Sequence, residues 1–248
     1  MVRGLELFRK YFADYTEQYV LIGGAACDIC FNANESAFRA TKDFDMVLIV
    51  EAQTKEFGQK FWEFIHDGKY SNRAKSNGRP QFYRFDKPQE PDYPVMIELF
   101  ARTNQILDSD EILTPVHMDD TVSSLSAILL DAAYYETLLA GRTVIEGVSV
   151  LRPEWLVPFK AKAWLDLQKR IEAGEKIDSR NLKKHKNDIL RIVAEFVLES
   201  CELSETVKAD MQEFCKKLDV QDAELKSLKM SGIHEADIKK RLADTYGL

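Results

Sequence analysis

Residues 19–50 read YVLIGGAACDICFNANESAFRATKDFDMVLIV, and this stretch decides the fold. The apolar run Tyr19 to Ile22 breaks at Gly23-Gly24 and continues into Ala25-Ala26-Cys27. A second apolar run, Met46 to Val50, follows Asp43-Phe44-Asp45. The pattern predicts strand, glycine turn, helix, loop and strand. Period-2 geometry then puts the carboxylates of Asp43 and Asp45 on one face of the second strand and Phe44 on the other. Two clustered oxygen donors suit a hard divalent cation such as Mg²⁺. Gly23 and Gly24 let backbone N–H groups approach an anion at the start of a helix whose dipole favours negative charge. One half of the stretch is therefore suited to phosphate, the other to the metal that accompanies phosphate.

Working outward, residues 3–16 carry Leu5, Phe8, Tyr11 and Phe12 at helical spacing, which predicts an amphipathic helix packed on a sheet. Residues 53–66 predict a second such helix, with Phe57, Phe61, Trp62, Phe64 and Ile65 mostly inward. Gln81 to Phe85 and Tyr93 to Ala101 read as strands. Glu98 is the only charge inside the second of these apolar runs. An acid there is costly to desolvate unless it meets a cation or hydrogen-bond donors. Residues 123–130 suggest a strand, 131–140 a helix, and 143–151 a strand with a bulge at Gly147. The acidic run 108–111 and His117-Met118-Asp119-Asp120 read as solvated turns.

From Pro153 onward the patterning is helical. The helix through Gln168 has Leu156, Phe159, Ala163 and Leu167 as its apolar stripe, with Lys160 beside it. Lys162 precedes Asp166 by four residues, the spacing of an ion pair within one helix. The helix over 180–198 opens with Arg180, Lys183, Lys184, His185 and Lys186, either a solvated face or a landing site for nucleic-acid phosphates. Further helices are expected over 204–217, 220–229 and 234–246. The expected fold class is α/β (α+β): a mixed-sheet domain over 1–152, then a helical bundle over 153–248.

The 248 residues, 45% hydrophobic, can bury a substantial core, and the net charge of −7 argues against a broadly basic nucleic-acid-coating surface. No apolar stretch is long enough to span a bilayer, and MVRGLELFRKYF has no apolar core of the signal-peptide kind. A cytoplasmic location is expected. Cys27 and Cys30 fall inside the helix after Gly24, with no second pair at zinc spacing, so the four cysteines are expected to be thiols.

The strand–Gly-Gly–helix followed by an Asp-x-Asp strand resembles the nucleotidyltransferase superfamily related to DNA polymerase β. The Thr41-Lys42-Asp43-Phe44-Asp45 wording, with Arg39 before it, is most like the AbiEii/AbiGii toxin branch. The match covers roughly residues 19–190. The resemblance implies transfer of a nucleoside monophosphate from a nucleoside triphosphate (NTP) to a hydroxyl acceptor, the 3′ end of tRNA among them, as a toxin with a cognate antitoxin. It implies Mg²⁺ or Mn²⁺ held by Asp43, Asp45 and Glu98, the last standing where the family usually has aspartate. Gly23, Gly24, Arg39, Lys42 and Lys162 would contact the nucleotide. Lys160 would face the phosphates, and Asp188 would orient Lys160 or the nucleotide. His185 stands where the family's later motif often has an aspartate. Two other readings stand beside this one: adenylyl transfer to a small molecule or protein, and a catalytically inactive nucleotide-binding regulator.

Overall fold

The computed structural model describes residues 2–72, 82–100, 128, 131–230 and 232–248. They fall into two compact units, one drawn from 1–118 and 142–152, the other from 119–141 and 153–248. The chain therefore passes between the units more often than the single crossing expected at residue 152.

The first unit is built on a seven-stranded mixed sheet. Its elements are α1 (Leu5–Phe12), β1 (Tyr19–Ile22), α2 (Gly23–Ala33), β2 (Asp43–Leu48), α3 (Lys55–Asp67), β3 (Ser71–Asn72), β4 (Phe82–Asp86) and β5 (Met96–Phe100). The chain returns to this sheet as β6 (Arg142–Ile145) and β7 (Val148–Leu151), and the strand order is β3-β4-β5-β2-β1-β7-β6. β2 runs antiparallel to β1 and parallel to β5, so Asp45 lies opposite Ile22 on one side and Glu98 on the other.

One face of this sheet is aromatic. Phe44 meets Phe8 of α1 at 5.1 Å between ring centres, and Phe8 also packs edge-on against Tyr19 and Phe64. Phe85 of β4 meets Phe61 of α3 at 5.5 Å. Thr54 caps α3 by accepting from the Phe57 N–H at 3.2 Å, which fixes where the Phe57–Phe61–Phe64 stripe begins.

Where a single bulged strand was expected over 143–151, the structure has a hairpin of β6 and β7. Its two turn residues, Glu146 and Gly147, have φ of 48° and 79°. Two consecutive left-handed residues match the right-handed twist of the flanking strands, so the extra length makes a tight reversal instead of a bulge. The acidic run 108–111 and the 117–120 cluster lie outside the described residues. Of the strand expected over 123–130 only Ile128 is described, and it is helical. Cys27 and Cys30 lie within α2 as expected, and all four cysteines stand as thiols. Among the described residues no helix is long and apolar enough to cross a membrane.

The second unit is helical among its described residues: α4 (Ala132–Ala140), α5 (Pro153–Glu172), α6 (Ser179–Glu195), α7 (Glu205–Lys217), α8 (Asp222–Ser227) and α9 (Glu235–Tyr246). α5 buries Trp155, Trp164 and Leu165 besides the expected stripe of Leu156, Phe159, Ala163 and Leu167. A helix apolar on most of its circumference is a central element, and α4, α6 and α7 pack around it. Tyr134 of α4 meets Phe159 at 5.3 Å, and Phe214 of α7 meets Trp164 at 5.4 Å, both edge-on.

Phe8 is fully buried at the centre of the aromatic face. Phe8→Ala should cost about 3–5 kcal/mol, the usual penalty for emptying such a site. Urea unfolding followed by tyrosine and tryptophan fluorescence checks this; a loss below about 1 kcal/mol would show that the layer collapses around the gap.

Candidate active site

The alternation that turns Phe44 into the aromatic layer turns its neighbours the other way. Phe44, Ile97 and Phe85 form one row across β2, β5 and β4. The adjacent row, on the opposite face, is Asp45, Glu98 and Arg84, and the row two residues along is Asp43, Met96 and Asp86. Four carboxylates and one guanidinium therefore share one patch of sheet.

Within that patch Glu98 is 6% exposed and touches both of its row neighbours. Its Oε1 accepts from Arg84 Nε at 3.0 Å and from Arg84 Nη2 at 2.6 Å. Its carboxyl also shares a hydrogen bond with Asp45. Burial, then the charge and hydrogen bond of Asp45, push the Glu98 pKa up to about 8. The Arg84 guanidinium acts in the opposite direction and does not offset them.

Gly23 sits against this acid pair. Its φ of +66° lies in the left-handed region, and a Cβ there would overlap Asp45 Oδ2. Only glycine satisfies both conditions. At Gly24 a Cβ would come within 2.5 Å of Thr41 Oγ1 and 3.5 Å of Arg39 Nη2. The start of α2 thus abuts the Asp45 carboxylate on one side and Thr41 with Arg39 on the other. Arg39 also lies over the Phe38 ring at 5.1 Å. Lys42 is exposed, just before β2, with the parity of Phe44 and not of Asp45.

The structure thus brings together Gly23, Gly24, Asp45 and Glu98, with Arg39 and Thr41 alongside and Asp43 one row away. It does not form the expected three-carboxylate cage. Among the described residues no three His, Cys, Asp or Glu side chains converge closely enough to hold a metal ion. The reason is visible: Glu98 is shared between Arg84 and Asp45, and Asp43 belongs to the next row. Arg84 was not singled out in the sequence. Its signal was the alternation Tyr83-Arg84-Phe85, a lone cation opposite an inward aromatic.

In the second unit Lys160 Nζ and Asp188 Oδ2 form an ion pair at 2.8 Å, with side chains 6% and 0% exposed. Lys162 does not use Asp166. Its ammonium bonds Asp210 Oδ1 at 3.1 Å, and Asp210 also accepts from Tyr134 Oη at 3.0 Å. A contact between α4, α5 and α7 has replaced the expected pair within one helix. Of the basic cluster, Arg180 pairs with Asp178 at 2.6 Å and Lys186 with Glu224 at 2.8 Å.

Two measurements test these assignments. Glu98 binds its proton more tightly when folded, so the folded state carries the extra proton between the ordinary 4.5 and about 8. Without divalent cations, stability should fall as pH rises through that window. Glu98→Gln should flatten this slope in thermal melts, and an unchanged slope would move the perturbed group elsewhere. Lys160→Met should cost about 3–5 kcal/mol by leaving Asp188 buried without its cation, and Lys160→Met with Asp188→Leu should recover most of it. Equal losses in single and double variants would count against the ion pair as the cause.

The sequence matches no protein-family model and no curated protein. Among solved structures the chain is similar to an antigenic nucleotidyltransferase-like protein from Paracoccidioides brasiliensis, at 16% identity over 94% of this chain and 96% of that one. The TM-score is 0.43, a likeness of outline that assigns neither an activity nor a site.

Proposed function

We propose that the chain is a nucleotidyltransferase that moves a nucleoside monophosphate from an NTP to a hydroxyl acceptor. The observation that carries this reading is the contact of half-buried Asp45 with buried Glu98, set against Gly23 at the start of α2. Two acids in contact, one of them buried, are unfavourable in isolation and expected where positive charge is to be received. The donors in the patch are carboxylate oxygens, the chemistry that suits Mg²⁺ or Mn²⁺. Asp45 and Asp43 are the residues that would hold such an ion. A bound ion would offset charge on the triphosphate and on the pyrophosphate that leaves.

The chain's own groups supply the rest. Gly23 and Gly24 leave room for phosphate oxygens to approach the first N–H groups of α2, whose dipole favours them. Arg39, beside Gly24, is placed to meet a phosphate oxygen with a planar pair of donors. Asp45, on β2 beside Gly23, would hold the cation that offsets charge on the reacting phosphate. Glu98 accepts from both Nε and Nη2 of Arg84 and so holds that guanidinium in the row beside Asp45. The catalysis is chiefly positioning and electrostatics, as phosphoryl-type chemistry requires.

The resemblance to the AbiEii/AbiGii branch extends the reading to a tRNA 3′ end as acceptor and to a cognate antitoxin as partner. The pairing of Arg180 and Lys186 with acids leaves less positive charge for RNA than the sequence suggested. A second reading, a nucleotide-binding regulator without transfer, is favoured by one specific contact: Arg84 already occupies Glu98.

Incubation of the protein with each labelled NTP, Mg²⁺ and total tRNA separates these readings. Label on tRNA supports the toxin reading, and label on protein or an added small hydroxyl compound supports the alternative acceptor. Nucleotide bound without transfer supports the regulator. Asp45→Asn should abolish transfer while raising the thermal midpoint in metal-free buffer, because it removes one of two facing acids. Retained transfer would overturn the assignment of Asp45.

A further inference from the structure

We propose that Arg84 stands in for a second cation, so that the chain binds one divalent ion, on the Asp43–Asp45 strand, instead of two. This rests on the nucleotidyl-transfer reading. Two-metal sites hold their ions a few ångströms apart and use a carboxylate to complete the second position. Here the carboxylate that would do so, Glu98, has Oε1 bonded by both Nε and Nη2 of Arg84, at 3.0 and 2.6 Å. The guanidinium reaches Glu98 from the neighbouring strand, in register, and its side chain is only 21% exposed. It is a placed group on the sheet, and it stays protonated at any working pH.

A metal ion on Glu98 would therefore sit beside a fixed positive charge in a poorly solvated site, where like charges repel strongly. The Asp43–Asp45 strand lies on the far side of Glu98 from β4, and its two same-face acids, Asp45 also in contact with Glu98, would hold the single ion. Arg84 then contributes permanently the electrostatic stabilisation that a second ion otherwise contributes when bound. In this arrangement Glu98 is a positioning residue that holds Arg84 in the row.

The test is a titration of the full chain with Mn²⁺, with free ion counted by electron paramagnetic resonance. The expected result is one Mn²⁺ per chain for the wild type and two for Arg84→Met, where Glu98 and Asp45 face each other without the guanidinium. Two ions in the wild type, or one in Arg84→Met, would overturn the proposal. Glu98→Gln serves where Arg84→Met does not fold. It should keep the single ion, and its loss would make Glu98 a ligand and overturn the proposal. Two ions in the wild type leave the transferase reading standing. No ion in the wild type or in either variant removes both.

Discussion

Phe44 packed edge-on against Phe8 is the contact on which the candidate site depends. A strand has two faces and one alternation, so seating Phe44 in the aromatic layer turns Asp43 and Asp45 to the other side. The parallel register with β5 brings Glu98 beside Asp45, and the antiparallel register with β4 brings Arg84 beside Glu98. A slip of one residue in either pairing would send an acid into the layer of Phe8, Phe61 and Phe64. The apolar side of the sheet thus enforces the polar side. Gly23 adds a second lock, since its bare Cα is what lets α2 start against the Asp45 carboxylate.

How much of this was legible in the sequence varies with the range of the interaction. The order strand, glycine, helix, strand around residues 19–48 is local, and the alternation and glycine signals suffice to read it. α1 and α3 are legible from their aromatic spacing, although each begins and ends a few residues from the sequence estimate. The hairpin at 142–151 was not legible because its turn is Glu146-Gly147, where the usual marker would be Asn-Gly or Asp-Gly. The partner of Lys162 was missed for a different reason. An exposed i,i+4 pair contributes only a few tenths of a kcal/mol, so a part-buried contact with Asp210 easily displaces it. The Arg84–Glu98 contact depends on the pairing of β4 with β5, which no local pattern specifies.

The second unit shows what charge looks like when it is built into a helical core. Lys160 on α5 and Asp188 on α6 are both nearly inaccessible, and each supplies the other's counter-charge. Such a pair adds little net stability over an apolar pair of the same volume, yet it is costly to break on one side only. It fixes how α5 sits on α6, because no neighbouring register would satisfy both groups. Tyr134, Asp210 and Lys162 do the same for α4, α5 and α7. A lysine held this way acts first as a packing element, and a phosphate could claim its charge only by displacing Asp188.

The contrast between the two charged clusters bears on where chemistry resides. In the Lys160–Asp188 pair one cation meets one carboxylate at hydrogen-bond distance. In the sheet row one guanidinium meets Glu98, which also contacts Asp45, with Asp43 and Asp86 on the row beside it. The arithmetic there does not close: Arg84 lowers the proton affinity of Glu98, yet burial and Asp45 raise it further, and the net shift is upward. A fold selected for stability alone would replace Asp45 by an apolar residue and gain from it. Keeping the acid maintains a standing deficit of positive charge beside a helix start that favours anions. A cation bound together with a negatively charged ligand satisfies both demands at once, and that is why the site, and not the better-compensated helical pair, is the place to look for catalysis.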